Sequence, residues 1–143
     1  KMENKNITVT ATVTATVTAP IDKVWNYWTL PEHITQWYNA SDDWHAPGAE
    51  TDFQVGGEFT RRMEAKDGSF RFDCNGIYDE IKTKELISYT MEDGRKASIL
   101  FSENGNETIV TETFEAENEN PIDMQRAGWQ AILDNFKKYT ETH

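Results

Sequence analysis

Apolar positions recur with two different periods along this chain, and the switches between them mark its elements. From Ile7 to Thr18 the sequence ITVTATVTATVT alternates strictly. A two-residue period is that of a strand with one buried face. The other face is all Thr, which favours strands and tolerates water. Ile7, Val9, Ala11, Val13, Ala15 and Val17 form the inner face, and the small Ala11 and Ala15 let a neighbour approach it closely. Ala19-Pro20 stops the strand. Ile21, Val24, Trp25 and Trp28 follow at helical spacing and predict a short helix over Pro20–Trp28. Thr29-Leu30-Pro31-Glu32 reads as a capping box for a second helix, whose apolar residues are Ile34, Trp37 and Tyr38.

Asn39 to Thr51, NASDDWHAPGAET, has neither period and reads as a loop with Trp44 conspicuous in it. Asp52–Val55 reads as a short strand ended by Gly56-Gly57. Turn residues then punctuate alternating segments. Strands are predicted over Glu58–Ala65, Phe70–Ile81, Leu86–Glu92, Lys96–Glu103 and Thr108–Glu117, with Gly76 marking a bulge or a close approach.

The last stretch, Asn120–Tyr139, returns to a helical period. Ile122, Trp129, Ile132, Leu133 and Phe136 fall in one broad stripe, with Gln130, Ala131, Asp134 and Lys138 opposite. Asn120 suits an N-cap and Pro121 the first helical position. Asp123 complements the positive end of the helix dipole, and Lys137 and Lys138 the negative end. A helix with such a stripe needs a partner surface. The expected architecture is a curved antiparallel sheet closing on this helix. Gln125 lies inside the stripe, one turn before Trp129. Either the first turn protrudes and is solvated, or the helix start offers a polar group to a cavity.

Strand phase assigns an inner face to Phe59, Arg61 and Met63; to Phe70, Phe72, Cys74 and Tyr78; to Ile87, Tyr89 and Met91; to Ala97, Ile99 and Phe101; and to Val110, Glu112 and Phe114. Arg61 and Glu112 stand out, because burying an unpaired charge costs several kcal/mol. Three arrangements fit: they pair with each other, they face a wet cavity, or a bulge turns them outward.

Composition narrows the function. The net charge of −11 disfavours nucleic acid and anionic membranes as partners. Aromatic residues make up 12% of the chain, so a core or a pocket rich in rings is expected. The lone Cys74 allows no internal disulfide and suits a reducing compartment. No apolar run reaches the length of a membrane span and no leader pattern is visible, so a cytoplasmic protein is expected, as one domain over residues 1–143. His33, His45 and His143 are scattered without metal-ligand spacing, although His45 lies near Asp42 and Asp43. Cys74 sits in apolar phase and reads as a core thiol. No phosphate-binding loop or nucleophile elbow is present. No metal, cofactor or catalytic set is expected. Glu112 alone is a candidate for proton transfer, since a carboxyl in an apolar site has a raised pKa.

The segments APIDKVWNYWTLPEHITQW (19–37), VGGEFTRRMEAKDGS (55–69), GIYDEI (76–81), FSENGNETIVTETFEAE (101–117) and GWQAILDNFKKY (128–139) in this order resemble the SRPBCC superfamily (Bet v 1-like, START-like). More narrowly they resemble its bacterial single-domain AHSA1-like proteins, homologues of the activator of the Hsp90 ATPase. Leu30 departs from the Asp that the family often has before the Pro. The resemblance implies an α+β helix-grip fold: a seven-stranded curved antiparallel sheet around the C-terminal helix, with two short helices after the first strand. It also implies a cavity between helix and sheet, used across the superfamily for lipids, sterols, polyketides and other apolar molecules such as flavonoids.

The first expectation is therefore a binding protein for a hydrophobic small molecule. Trp37, Trp44, Phe59, Phe72, Tyr89, Phe101 and Trp129 would supply rings, with Trp37 and Trp44 at the mouth. Arg61, Glu112 and Gln125 would supply polar handles. The second is an interaction with an Hsp90-type chaperone, by analogy with the family's co-chaperone. The third is an enzyme, cyclase-like or hydrolase-like, acting through Glu112.

Overall fold

The computed structural model describes residues 8–143. Ile7, the first residue of the expected N-terminal strand, lies outside them. The elements are β1 (Thr10–Val17), α1 (Ile21–Thr29), α2 (Pro31–Trp37), β2 (Trp44–Thr51), β3 (Glu58–Ala65), β4 (Arg71–Lys82), β5 (Leu86–Met91), β6 (Lys96–Asn104), β7 (Glu107–Glu115) and α3 (Ile122–Thr142). The strands form one antiparallel sheet in the order β1-β7-β6-β5-β4-β3-β2. This is the helix-grip fold, with α1 and α2 inserted after the first strand.

Alternation does what the sequence promised along β1, β3 and β7, whose inner residues are buried at every second position. Phe70 lies before β4 and is 60% exposed; Phe72 keeps the inward phase opposite Met63 but is still 44% exposed. Val9 lies before β1 and is also exposed.

The region called loop from Asn39 contains a strand, and the strand expected over Asp52–Val55 is a turn. β2 is hidden in the sequence because it is an edge strand that pairs only with β3 and is bulged between His45 and Gly48. An edge tolerates Pro47, which has no N–H to give. The Asp52–Val55 segment instead folds back on itself, with the Asp52 N–H donating to Glu58 O and Gly57 N–H to Gln54 O.

Three expected helix caps are replaced by other bonds. The Thr29 hydroxyl donates to Trp25 O at 2.8 Å, and α2 starts from Leu30 without a side-chain cap. Asn120 does not cap α3, which starts from Pro121; its amide donates to Glu117 instead. Lys137 is not at the C-terminal end, since α3 continues to Thr142. Its ammonium bonds Thr16 O at 2.7 Å and Glu141.

That last bond belongs to a row that places the helix. Gln130 donates to Thr14 O at 3.0 Å, and Glu141 accepts from the Thr18 N–H at 2.7 Å. Polar side chains of α3 thus satisfy backbone groups on the free edge of β1. Inward, Leu133 and Phe136 of α3 are fully buried against Val17, Val24, Ile34, Trp25, Trp37 and Phe101. The helix is held along β1 and against α1 and α2, and it stands away from the middle of the sheet.

Candidate functional site

Where α3 stands off, a cavity of about 230 Å³ remains. Its floor is made by inward residues of the sheet: Phe59, Arg61 and Met63 from β3, Phe72, Cys74 and Tyr78 from β4, Ile87, Tyr89 and Met91 from β5, Ile99 from β6 and Glu112 from β7. Trp129 and Ile132 of α3 form the roof, and Trp28, Trp37 and Tyr38 close the end beside the short helices. Asn75 and Arg95 also belong to the lining, and Phe72 is its exposed member.

The rings fix one another. Phe59 meets Tyr89 edge-on at 5.0 Å and lies tilted against Tyr78 at 5.0 Å. Gly76, opposite Phe59 in the register, makes this possible: a Cβ there would come within 2.4 Å of the Phe59 ring. Gly76 is therefore a close approach, as one of the two expected readings had it. Trp129 stacks flat on Phe114, with centroids 4.1 Å apart and planes 5° apart.

The polar groups are few and separated. Arg61 is 8% exposed; its Nη1 donates to Glu50 O and Thr60 O, both at 3.3 Å, and its Nη2 to the Tyr78 hydroxyl at 3.4 Å. Its guanidinium also lies 4.9 Å from the Phe59 ring centre. Glu112 is 6% exposed and has no hydrogen-bond or ion-pair partner among the described residues. Burial pushes its carboxyl up to about 8. Of the three arrangements left open, pairing of Arg61 with Glu112 is not formed, and neither residue is turned outward. Both face the cavity, from β3 and from β7.

Burial also raises the pKa of the Tyr38 and Tyr89 hydroxyls; Glu112 adds to the shift in both cases and Arg61 opposes it. The two phenols therefore lie close enough to Arg61 and Glu112 for the ionisation of each to be linked to theirs. The Cys74 thiol is pushed up by burial as well, and it stays protonated rather than serving as a nucleophile. At neutral pH the lining offers two guanidinium groups, Arg61 and the Asp93-paired Arg95, one carboxyl that burial keeps protonated, and hydroxyl and amide groups, within a largely apolar wall. Such a set can hold a polar ligand group and donate a hydrogen bond or a proton to it.

Seven of the ten expected site residues line this space: Trp37, Phe59, Arg61, Phe72, Tyr89, Glu112 and Trp129. Three do not. Trp44 packs edge-on against Phe70 and Phe72 on the β2 edge. Phe101 is buried between Trp25 and Trp28. Gln125 is used up at the start of α3: it accepts from the Glu117 N–H at 2.9 Å and donates to Glu117 O and Asn120 O. Trp37 does not guard a mouth either, since it is 2% exposed and donates its indole N–H to Tyr27 O.

Tyr38 and Tyr78 were absent from the expected set. Tyr78 was legible from strand phase. Tyr38 was not, because it follows α2 and enters the cavity only through the tertiary position of that helix. Among the described residues no group of three His, Cys, Asp or Glu side chains is placed to hold a metal ion. His45 instead lies 3.5 Å from Glu64. No helix among them is long and apolar enough to cross a membrane.

A family model described as activator of Hsp90 ATPase homolog 1-like protein matches residues 18–141. Among solved structures, the AHSA1-like protein from Aeromonas hydrophila is 40% identical, with 94% of this chain and 93% of that one covered and a TM-score of 0.89. A protein from Cytophaga hutchinsonii is 52% identical over 92% of this chain and 91% of its own, with a TM-score of 0.79. Protein NE0264 from Nitrosomonas europaea, at 17% identity and a TM-score of 0.78 over 94% and 95% of the two chains, shares the fold. No curated protein matches the chain.

Proposed function

Because the chain belongs to the activator of Hsp90 ATPase homolog 1-like family, within the SRPBCC superfamily, we propose that it is a binding module for an apolar small molecule held between α3 and the sheet. One observation carries this reading: helix and sheet leave about 230 Å³ between aromatic walls with polar groups facing in. Folded cores are packed densely, with few voids larger than a water molecule. A hollow of this size loses packing energy in the empty protein, and a ligand restores it. Rings with a few convergent polar groups suit a lipid, sterol, polyketide or flavonoid-like molecule. Phe59, Phe72, Tyr89 and Trp129 would supply the walls, and Arg61 an anchor for a polar end. The half-buried free thiol of Cys74 goes with a cytoplasmic setting.

The test is a melting curve with added fatty acids, sterols and flavonoids. A ligand that binds only the folded chain raises the melting temperature with its concentration. The family's description supports a second reading, a co-chaperone of an Hsp90-type ATPase. That reading expects ATP hydrolysis by the host's Hsp90-type chaperone to rise when this protein is added. A raised ATPase with no ligand-induced melting shift replaces the first reading by the second.

A further inference from the structure

The cavity has two buried polar poles without an opposite charge among the described residues; Arg95 also reaches the lining, but its charge is met by Asp93 at 2.7 Å. Arg61 enters it from β3 and Glu112 from β7, four strands away in the sheet order. Neighbouring strands lie about 4.8 Å apart, so the two backbones are separated by roughly 19 Å along the sheet and by less across its curve. Neither side chain meets an opposite charge among the described residues. The three hydrogen bonds of Arg61 are long, between 3.3 and 3.4 Å, and all go to neutral oxygens. They hold the guanidinium in place and leave its charge without an anionic acceptor among the described residues. The Glu112 carboxyl has no described partner at all and faces the same space. Tyr38, just after α2, and Tyr89 from β5 line the same cavity. The remaining wall near them, Phe59, Ile99, Trp129 and Ile132, is apolar.

A ligand with one polar end satisfies one pole and leaves the other buried without a partner. An unmade hydrogen bond in a dry site weighs against binding more than a made one favours it. Resting on the small-molecule reading above, we propose that the cavity takes a molecule polar at both ends: an apolar body with an anionic group for Arg61 and a hydroxyl or carbonyl oxygen for Glu112. The second group is neutral because Glu112 keeps its proton at neutral pH, which makes it a hydrogen-bond donor. A ligand ammonium in its place would have to draw that proton off and be stripped of water itself.

Three probes separate the poles: 8-hydroxyoctanoate, octanoate and 1-octanol, titrated calorimetrically into the full chain at pH 7. Their flexible chains let each end find its group. Octanoate is expected to bind about tenfold or more tightly than 1-octanol, from the charge-assisted bond to Arg61. In a purely apolar pocket the extra hydroxyl of 8-hydroxyoctanoate weakens binding; here it is expected to bind at least as tightly as octanoate. Arg61→Met is expected to erase the advantage of octanoate over 1-octanol. Glu112→Leu is expected to make 8-hydroxyoctanoate the weaker of the two acids. The ranking in the unmutated protein stands without the variants, so a variant that fails to fold does not shelter the proposal. Equal binding of octanoate and 1-octanol, or weaker binding of 8-hydroxyoctanoate than octanoate, overturns it and leaves small-molecule binding intact. If none of the three binds while other apolar compounds raise the melting temperature, only the two-pole inference falls. If nothing in that wider set binds either, the small-molecule reading falls with it.

Discussion

The concave side of the sheet is solid at one end and hollow in the middle, although both regions are built from the same residue types. At the solid end Trp28 meets Phe136 edge-on at 4.7 Å and Phe101 at 5.9 Å, and Trp25 meets Phe101 at 5.2 Å. Phe136, Leu133, Val24 and Ile34 are fully buried there. In the middle, Phe59 meets Tyr89 edge-on and lies tilted against Tyr78, yet the space above them stays open to Arg61, Glu112 and Tyr38. The composition of the wall does not decide between the two. The position of α3 does: its polar side chains bind the β1 backbone, and its buried face reaches only the short helices and the nearer strands.

The solid end gives the largest expected effect. Phe136→Ala removes a fully buried ring from a site too crowded to collapse, and is expected to cost about 4 kcal/mol in urea denaturation. An equal cost for a ring truncation on the cavity wall would erase the distinction between the regions.

The hollow region shows itself through pH. Glu112 titrates near 8 in the folded chain against an ordinary value of 4.5. Between those values the unfolded chain has released a proton that the folded chain keeps. The unfolded state then binds fewer protons, so stability falls as pH rises from about 4.5 to about 8 and levels off above that range. The stability lost between pH 5 and 8.5 is on the order of 4 kcal/mol. Glu112→Gln is expected to flatten this slope, measured as the urea midpoint at pH 5, 7 and 8.5. An unchanged slope would mean that the carboxyl is solvated.

Gly76→Ala is the change that turns the hollow region toward the solid one. The new methyl meets the cavity-lining Phe59 ring and the Thr90 carbonyl oxygen at 3.0 Å, so the ring has to shift. A stability loss of about 1–3 kcal/mol, typical of overpacking, is expected together with a smaller ligand-induced melting shift. A loss of stability with ligand response intact would place the binding elsewhere. The smallest effect belongs to Thr140, whose buried hydroxyl has no partner among the described residues. Thr140→Val keeps the shape and removes the unmet group, and is expected to raise stability by about 1 kcal/mol in the same assay.

Which parts of this picture could be read in the sequence follows from how local each signal is. The phase of β3 and β7 groups Arg61 and Glu112 with the inner face in the sequence alone, because the strand period is two and one face is buried. The stripe of Trp129, Ile132, Leu133 and Phe136 marked the helix for the same kind of reason. What failed was set by partners distant in sequence. β2 pairs with β3 across a bulge, and its Pro47 and Gly48 mimic a loop. Gln125 looked available because its acceptors and donor, Asn120 and Glu117, lie in the preceding turn rather than on the helix. Whether Arg61 and Glu112 pair depends on four intervening strand spacings and the curl of the sheet, which no periodicity encodes. Tyr38 entered the site by the same route, through the packing of α2 rather than through its own neighbours.

Native mass spectrometry of the protein purified from its own host tests the central claim most directly. The account predicts a non-covalent adduct on the folded chain, a single small molecule carrying polar groups at both ends, which is lost on denaturation. Identical masses for the native and denatured protein, together with an unmoved melting temperature across the apolar compounds, would contradict it.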